Sequence, residues 1–392
     1  MSAPLYLPAM AVASCLGVGK AATIEPLFTG RRDGLRKVDG FPVPVGALPE
    51  ELPPLPAALA GWDCRNNRLL AVLAAEIRAD IEAIIKRYGR HRIAVVLGTS
   101  TSGIAEGEAA FAHHSRTGQW PDFYHYRQQE TGGGALFLAD MLGLRGPAYV
   151  VATACSSSAK ALASARRLIG AGLADAAIAG GADTLCRLTV AGFGSLEALS
   201  PEPCLPFSAN RRGITIGEGG ALFLATPEPA EIELAGLGES SDAHHVSAPD
   251  PEGHGALSAM AAALAQAGRS ADEIGYLNLH GTATPLNDAM ESKAVAALFP
   301  SGVACSSTKG LTGHTLGAAG AVEAAFLWLT LSRRWNPDGR LPPHAWDGQP
   351  DPSLPRLDLA GAGHRLAHPV ALSNSFAFGG SNCCLAMARG KA

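Results

Sequence analysis

Cys155 stands in Thr153-Ala154-Cys155-Ser156-Ser157-Ser158, between an apolar run from Ala148 to Val151 that reads as a strand and a small-residue stretch from Ser156 to Ile169 that reads as a helix. A cysteine at a strand-to-helix turn faces free backbone N–H groups and the partial positive charge of the first helical turn. Both favour a thiolate over the thiol of an ordinary cysteine, whose pKa is about 8.5. A thiolate so placed can hold an acyl group as a thioester. The other seven cysteines, Cys15, Cys64, Cys186, Cys204, Cys305, Cys383 and Cys384, read as unreactive buried residues. Two histidines strengthen the chemical reading. His280, in His280-Gly281-Thr282-Ala283-Thr284-Pro285, follows the apolar run Tyr276 to Leu279 and so lies at the carboxyl end of a strand, the edge where open α/β sheets place their chemistry. His314 closes Ser307-Thr308-Lys309-Gly310-Leu311-Thr312-Gly313-His314, after the strand-like Val303 to Ser306 and before the helical Gly317 to Leu331.

With these residues the chain resembles the elongating β-ketoacyl-[acyl carrier protein] synthases, condensing enzymes of the thiolase superfamily. The resemblance runs over nearly the whole length. It rests on the Cys155 segment, on His280 to Pro285, on Lys309 with His314, and on Asn374-Ser375-Phe376-Ala377-Phe378-Gly379-Gly380-Ser381-Asn382, in the family's order. It implies a thiolase-like α/β fold of five layers, αβαβα, in two pseudo-duplicated halves. Residues 1–228 would carry the nucleophile and residues 229–392 the two histidines. The implied reaction is a decarboxylating Claisen condensation of a Cys155-bound acyl chain with malonyl-carrier protein, in fatty-acid synthesis or in a specialised pathway such as an aryl polyene or polyketide-like one.

Such a condensation needs donors aimed at each oxyanion that develops. His280 and His314 would supply two neutral imidazole N–H groups for the malonyl carbonyl. By resemblance, the backbone N–H groups of Cys155 and Phe378 form a second hole, with Phe376 beside it and glycines that let the backbone approach closely. Lys309 resembles a lysine that orders the site rather than attacking, and Glu323 one that holds Lys309 and local water. Asp288 and Glu291, three apart on the helix after His280, share one face and match positions of structural role. A metal pair is the alternative there, but no His or Cys joins them at ligand spacing. Thr101, Glu130 and Phe193 are assigned to the acyl pocket. The polar Gln128-Gln129-Glu130 stretch, in a region of relatives that builds the dimer interface and the floor of the partner's acyl pocket, speaks against a long saturated substrate. Arg65 and Arg68, with Arg211 and Arg212, are assigned to docking an acidic carrier protein. Ser208 and Arg212 stand where many relatives have aspartates.

These residues need a large scaffold. The 392-residue chain is 47% hydrophobic and 17% charged, enough for a sizeable core in two domains or one duplicated one. Strand-like runs at Arg92 to Leu97, Ala176 to Ala179 and Ala221 to Leu224 alternate with a helical stretch from Arg68 to Tyr88. A second set has helices at Ala256 to Ala267 and Pro285 to Leu298 and strands at Val370 to Ser373 and Cys384 to Ala388, the halves meeting near Pro227 to Glu231. The proline-rich segments 41–56 and 335–355 read as ordered surface loops. Gly17-Val18-Gly19 precedes a helix and a turn at Gly30-Arg31-Arg32. Val12-Ala13-Ser14-Cys15 has a lipobox flavour, but no Lys or Arg precedes it and Pro8 interrupts its apolar run. No apolar run spans a membrane, the cysteines lack disulfide or CxxC spacing, and the net charge of −4 suggests no nucleic acid, so a reducing, cytoplasmic setting is expected. The expected partners are acyl carrier protein, whose phosphopantetheine carries the substrates without any further cofactor, and a second chain, as homodimer or as heterodimer with a chain-length-factor-like subunit. Two other readings are a thiolase-like acyltransferase, suggested by Cys383-Cys384, and a non-catalytic chain-length partner, opposed by the intact Cys155 and histidines.

Overall fold

The computed structural model describes residues 4–390. The first half runs β1 (Tyr6–Ser14), β2 (Gly17–Val18), α1 (Lys20–Thr29), a ribbon of β3 (Leu35–Arg36) and β4 (Val45–Gly46), α2 (Arg65–Glu76), α3 (Arg78–Tyr88), β5 (Ile93–Gly98), α4 (Ile104–Thr117) and α5 (Gly133–Leu142). It continues through β6 (Ala148–Val151), α6 (Ser157–Gly170), β7 (Ala176–Asp183), α7 (Arg187–Ser195) and β8 (Gly219–Thr226). The second half runs β9 (Ile232–Ser241), α8 (His254–Ala267), β10 (Tyr276–Asn278), α9 (Pro285–Leu298), β11 (Ala304–Ser306) and the single turn α10 (Lys309–Thr312). It ends with α11 (Ala319–Leu331), β12 (Asp358–Leu359), β13 (Val370–Ala377) and β14 (Ser381–Arg389).

The strand order is β12-β11-β10-β13-β14-β9-β1-β8-β7-β5-β6. Each half repeats one pairing scheme. In the first, β5 lies parallel between β6 and β7, and β8 lies antiparallel between β7 and β1. In the second, β10 lies parallel between β11 and β13, and β14 lies antiparallel between β13 and β9. Along the strand order the halves join where β1 lies antiparallel to β9, in register at Tyr6 with Glu233. The fold is therefore duplicated in topology although no sequence repeat is visible.

Side-chain alternation along the strands sorts the layers. On β1, Leu7, Met10 and Val12 join the cluster formed with α6 and α11, whereas Ala9, Ala11 and Ala13 face the cluster of α2 and α5. On β14, Cys383, Leu385 and Met387 face the middle, and Cys384, Ala386 and Ala388 face α8 and α9. Helices α6 and α11 thus form a central layer between two sheet layers, with α2 and α5 outside one and α8 and α9 outside the other. All of α11 is buried, as its nearly unbroken apolar sequence requires. Cys383 and Cys384, buried on opposite faces of one strand, offer no second reactive thiol, which removes the thiolase reading.

Several local expectations change. The single helix from Arg68 to Tyr88 is two, broken at Ile77 with φ −112° and ψ 23°, and the break lets both Leu69, Leu73 and Ile81, Ile84 reach the same apolar cluster. The proline-rich segments are not purely surface. Val45, Leu48 and Leu52 are buried, and the Gly46 N–H donates to Ile216 O while the Glu218 N–H donates to Gly46 O, each at 2.8 Å. His344 is buried in the other segment, where its Nδ1 accepts the Ser307 N–H at 3.1 Å and its Nε2 donates to Pro206 O at 3.0 Å. Burial pushes His344 down to about 4. No helix of the described residues is long and apolar enough to cross a membrane.

Candidate active site

The nucleophile is presented by a strained elbow. Ala154 adopts φ 51°, a left-handed conformation that costs about 1 kcal/mol in a residue with a Cβ, and this turns the chain from β6 into α6. The serines that follow hold the turn. Ser156 Oγ donates to Thr153 O at 2.8 Å and reaches Ser381 Oγ at 3.1 Å. Ser157 Oγ accepts the Thr153 N–H at 2.9 Å, and Ser158 Oγ accepts the Ala321 N–H of α11 at 2.8 Å. Cys155 thereby sits below α6 at the end of a cleft of about 390 Å³ that it shares with His280, His314, Phe193, Phe376 and Phe378.

His280 leaves β10 with its loop gripped from behind by α9. Glu291 accepts the His280 and Gly281 N–H groups, both at 2.7 Å, and the Asn374 side-chain amide at 3.1 Å. Asp288 accepts the Phe207 N–H at 2.7 Å and the Ala283 N–H at 3.2 Å. Burial pushes Asp288 up to about 6 and Glu291 up to about 7, against these donors. All four carboxylate oxygens accept hydrogen bonds, the structural role expected of these residues. Gly281 is required, because a Cβ there would lie 2.5 Å from Ser307 Cβ. His314 is set by the other half of the chain. Its N–H donates to Thr215 O at 2.7 Å, and its carbonyl accepts the Gly217 N–H at 2.9 Å.

The side chains converge. His314 Nε2 lies 3.0 Å from Cys155 Sγ, and the two imidazoles meet edge to face with centroids 5.4 Å apart. Lys309, at the start of α10, pairs with Glu323 on α11, both buried, and places Nζ 3.3 Å from His280 Nδ1. An ammonium only donates, so His280 Nδ1 accepts and its proton sits on Nε2, on the side of the cleft. Burial, seconded by Lys309, pushes both imidazoles well below their ordinary value, so both are neutral. Burial lifts Glu323 to about 7 while Lys309 pulls it back. Ligand atoms of Cys155, His280 and His314 lie within 4.8 Å of one another, a spacing a metal ion could bridge, but the ammonium beside them raises the cost of a second cation there.

The thiolate expectation is corrected. Burial pushes the Cys155 thiol up to about 11, with Lys309 opposing and Asp183 and Glu323 reinforcing. The resting nucleophile is a thiol in contact with a neutral imidazole, and the helix field acts on the thiolate only as it forms. Phe376 packs 5.9 Å from His280, and half-exposed Phe378 stacks obliquely on Phe193 at 5.8 Å. Gly380, at φ 72°, lies too close to Asp242 for a side chain.

Other assigned residues lie elsewhere. Thr101 is buried away from the cleft, its hydroxyl donating to Asp183 at 2.8 Å. Gln128 is buried too, its amide donating to Asp63 O at 2.9 Å and Phe123 O at 3.0 Å, so within one chain it lines no acyl pocket. Glu130 is exposed outside the cleft, whereas Phe193 lines it. Arg65 forms a two-pronged pair with buried Glu218, at 2.9 and 2.7 Å, and Arg68 one with Asp63, at 2.6 and 2.8 Å. Arg211 pairs with Asp351 at 2.6 Å. These three arginines hold the fold. Arg212 alone of the four is exposed at the cleft mouth. Ser208 donates to Asp347 at 2.8 Å, which replaces a local carboxylate with one from the second half. Sequence reading missed Asp183 and the paired hydroxyls of Thr282 and Thr284, 2.9 Å apart at the mouth. The signal for Asp183 was a lone carboxylate ending a strand of small apolar residues. With ¹⁵N-labelled histidine, His280 and His314 should keep neutral-imidazole shifts at pH 6; protonation of either ring there would contradict the site electrostatics.

Two family models match adjoining stretches, the beta-ketoacyl synthase N-terminal domain over residues 65–230 and the C-terminal domain over residues 231–340. The 3-oxoacyl-[acyl-carrier-protein] synthase 2 of Staphylococcus aureus is 33% identical over 341 residues, 82% of this chain and 83% of that one. Nodulation protein E of Rhizobium meliloti is 36% identical over 307 residues, 75% of each chain. The complex of a ketosynthase (ApeO) with its chain length factor (ApeC) from Xenorhabdus doucetiae contains a chain 46% identical, with a TM-score of 0.95 over 99% of this chain and 98% of that one. With a nucleophile, two neutral imidazoles and a buried lysine pair brought together on a duplicated fold, the chain belongs to the beta-ketoacyl synthase family of condensing enzymes.

Proposed function

We propose that the chain is the catalytic ketosynthase of a polyketide-like pathway, condensing an acyl chain on Cys155 with a malonyl unit carried on the phosphopantetheine of acyl carrier protein, with no bound cofactor. The observation that carries this is the contact of His314 Nε2 with Cys155 Sγ beside the Nε2–H of His280. In loading, Sγ attacks the acyl thioester, and the thiol proton passes through His314 to the departing pantetheine sulfur. No protein group among the described residues pins His314 Nδ1, so the ring can change tautomer between steps. In condensation the malonyl carboxylate leaves as CO₂, and its electron pair passes to an enolate whose oxygen is held by the two Nε2–H groups. The enolate carbon attacks the Cys155 thioester, the amides of Cys155 and Phe378 face the new oxyanion, and collapse returns Cys155. The higher identity to the chain from the ketosynthase and chain length factor complex than to the 3-oxoacyl-[acyl-carrier-protein] synthase 2 of Staphylococcus aureus supports the specialised pathway.

Cys155→Ala should abolish acyl loading, read by intact-protein mass. His280→Ala should load yet lose malonyl decarboxylation by about a hundredfold or more, whereas His314→Ala should be impaired in both. Normal loading by Cys155→Ala, or normal decarboxylation by either histidine variant, sinks the mechanism. The mouth supports carrier recognition through Arg212 with Thr282 and Thr284. Arg212→Glu should raise KM for carrier-bound malonyl about tenfold and leave a small thioester mimic unaffected; an equal effect on both would remove Arg212 from docking. Arg65→Ala should instead cost about 2 kcal/mol of stability, below the loss for a fully buried pair because Arg65 reaches solvent.

Exposed Phe111, Trp120, Phe123 and Tyr126 on α4 and the loop after it, with Leu188 on α7, support burial of this face by a second chain, and the similar ketosynthase from Xenorhabdus doucetiae is found in complex with a chain length factor. Trp120 already meets Phe111 edge to face, with centroids 5.1 Å apart, and stacks on Tyr124 at 5.3 Å. Mass photometry should show particles of two chains, either with itself or with a co-expressed chain-length-factor-like subunit; single-chain particles under both conditions would overturn the reading. The cysteine usage supports a cytoplasmic setting.

A further inference from the structure

Beneath the nucleophile lies a carboxylate that the reaction described above does not use. Asp183, at the end of β7, is fully buried. Its Oδ1 accepts the Thr99 hydroxyl at 2.6 Å, the Thr101 hydroxyl at 2.8 Å, the Ser100 N–H at 2.8 Å and the Thr101 N–H at 2.7 Å. Its Oδ2 accepts the Ala318 N–H at 2.9 Å. Both hydroxyls are set to donate to Asp183. Thr99 Oγ1 already accepts the Ser102 N–H at 3.0 Å, and Thr101 Oγ1 the Thr184 N–H at 3.1 Å, so both protons point at the carboxylate. Burial raises this carboxyl's pKa, and the five donors aimed at it, with no acceptor facing it, oppose that rise and favour the carboxylate.

The donors come from two places that must keep register. Residues 99–101 follow β5, whose last residue, Gly98, abuts the first turn of α6; a Cβ on Gly98 would lie 2.3 Å from Ser158 N. Ala318 belongs to the turn that leads from His314 into α11. There Leu316 has φ 53°, and a Cβ on Gly317 would lie 2.7 Å from Thr99 C. A carboxylate is the only group among these that joins the nucleophile's floor to the segment leaving His314.

Resting on the ketosynthase reading, we propose that Asp183 is a positioning residue for the Cys155–His314 pair, its carboxylate fixing the distance between their two supports. The charged and titratable groups that act on Cys155 are Lys309, which favours its thiolate, and Asp183 and Glu323, which oppose it, with neutral His314 in contact. A negative charge near the thiol adds to burial in disfavouring the thiolate that alkylation requires. It also makes the charge and the shape of this side chain separable by experiment.

The test measures iodoacetamide alkylation of Cys155, located by peptide mass mapping, against pH in the full-length protein, together with malonyl decarboxylation and acyl loading. Asp183→Asn should move the alkylation midpoint down by on the order of one pH unit and cut decarboxylation at least tenfold while loading persists. Asp183→Glu, which keeps the charge, should leave the midpoint within a few tenths of a unit of wild type. Thr101→Ala, which cuts one leg of the anchor, should slow decarboxylation about threefold or more in a protein that still folds and loads. An unshifted alkylation profile in Asp183→Asn, or wild-type decarboxylation in Thr101→Ala, would overturn the proposal. The alkylation profile needs no substrate, so a wild-type protein that neither loads nor decarboxylates would reject the ketosynthase reading while leaving Asp183 still under test.

Discussion

The closeness of α6 to α11 governs everything in the site. One helix begins at the nucleophile and the other carries Glu323 and follows directly from His314, so their separation sets the 3.0 Å between Sγ and Nε2. Small residues permit it. A Cβ on Gly320 would lie 2.7 Å from Ala159 Cβ, and Ser158 Oγ spends its acceptor on the Ala321 N–H. Interiors packed this tightly do not absorb an extra methyl by small adjustments, so a larger residue at that crossing would separate the supports and with them the reacting atoms. The bulky side of β1 and the middle-facing residues of β14 press on the same pair of helices.

Within that frame, burial makes every charge conditional on its neighbours. Lys309 is tolerated because Glu323 faces it, and burial, seconded by Lys309, makes protonation of either imidazole unfavourable. Neutral rings can offer N–H groups to an enolate without first discharging a proton to it. The same dry surroundings hold Cys155 as a thiol, so the site rests in an uncharged state at its reacting end and develops charge only along the reaction. This is what preorganised donors are suited to stabilise.

The duplicated fold explains why these parts come from distant stretches of chain. The first half supplies Cys155 and the strand-like residues 215–217 that hold the His314 backbone; the second supplies both imidazoles, Lys309 and the Phe376 to Gly380 turn. Neither half contains a site alone. Ser156 reaching Ser381, and Asp183 reaching Ala318, are the polar stitches across the central layer, each between residues more than a hundred positions apart.

Cys155, His280, Lys309 and His314 were legible because they follow the ends of three strands, β6, β10 and β11, with glycine or small-residue neighbours, and such an address is written in nearby residues. Most helices and strands were legible for the same reason, through their apolar periodicity. Tertiary structure alone decided which charges are free. Arg65 and Arg68 share a helical face and look like a basic patch, yet Glu218, far along the chain, and Asp63 occupy them. Thr101 and Gln128 look like pocket residues until their hydrogen bonds turn them inward, and Asp183 gave only a faint signal because its partners lie in two distant segments. Periodicity and turn chemistry act over a few residues and are fixed by the chain itself, whereas the partner of a buried polar group is whatever packing brings within about 3 Å, and that is decided only when the layers close.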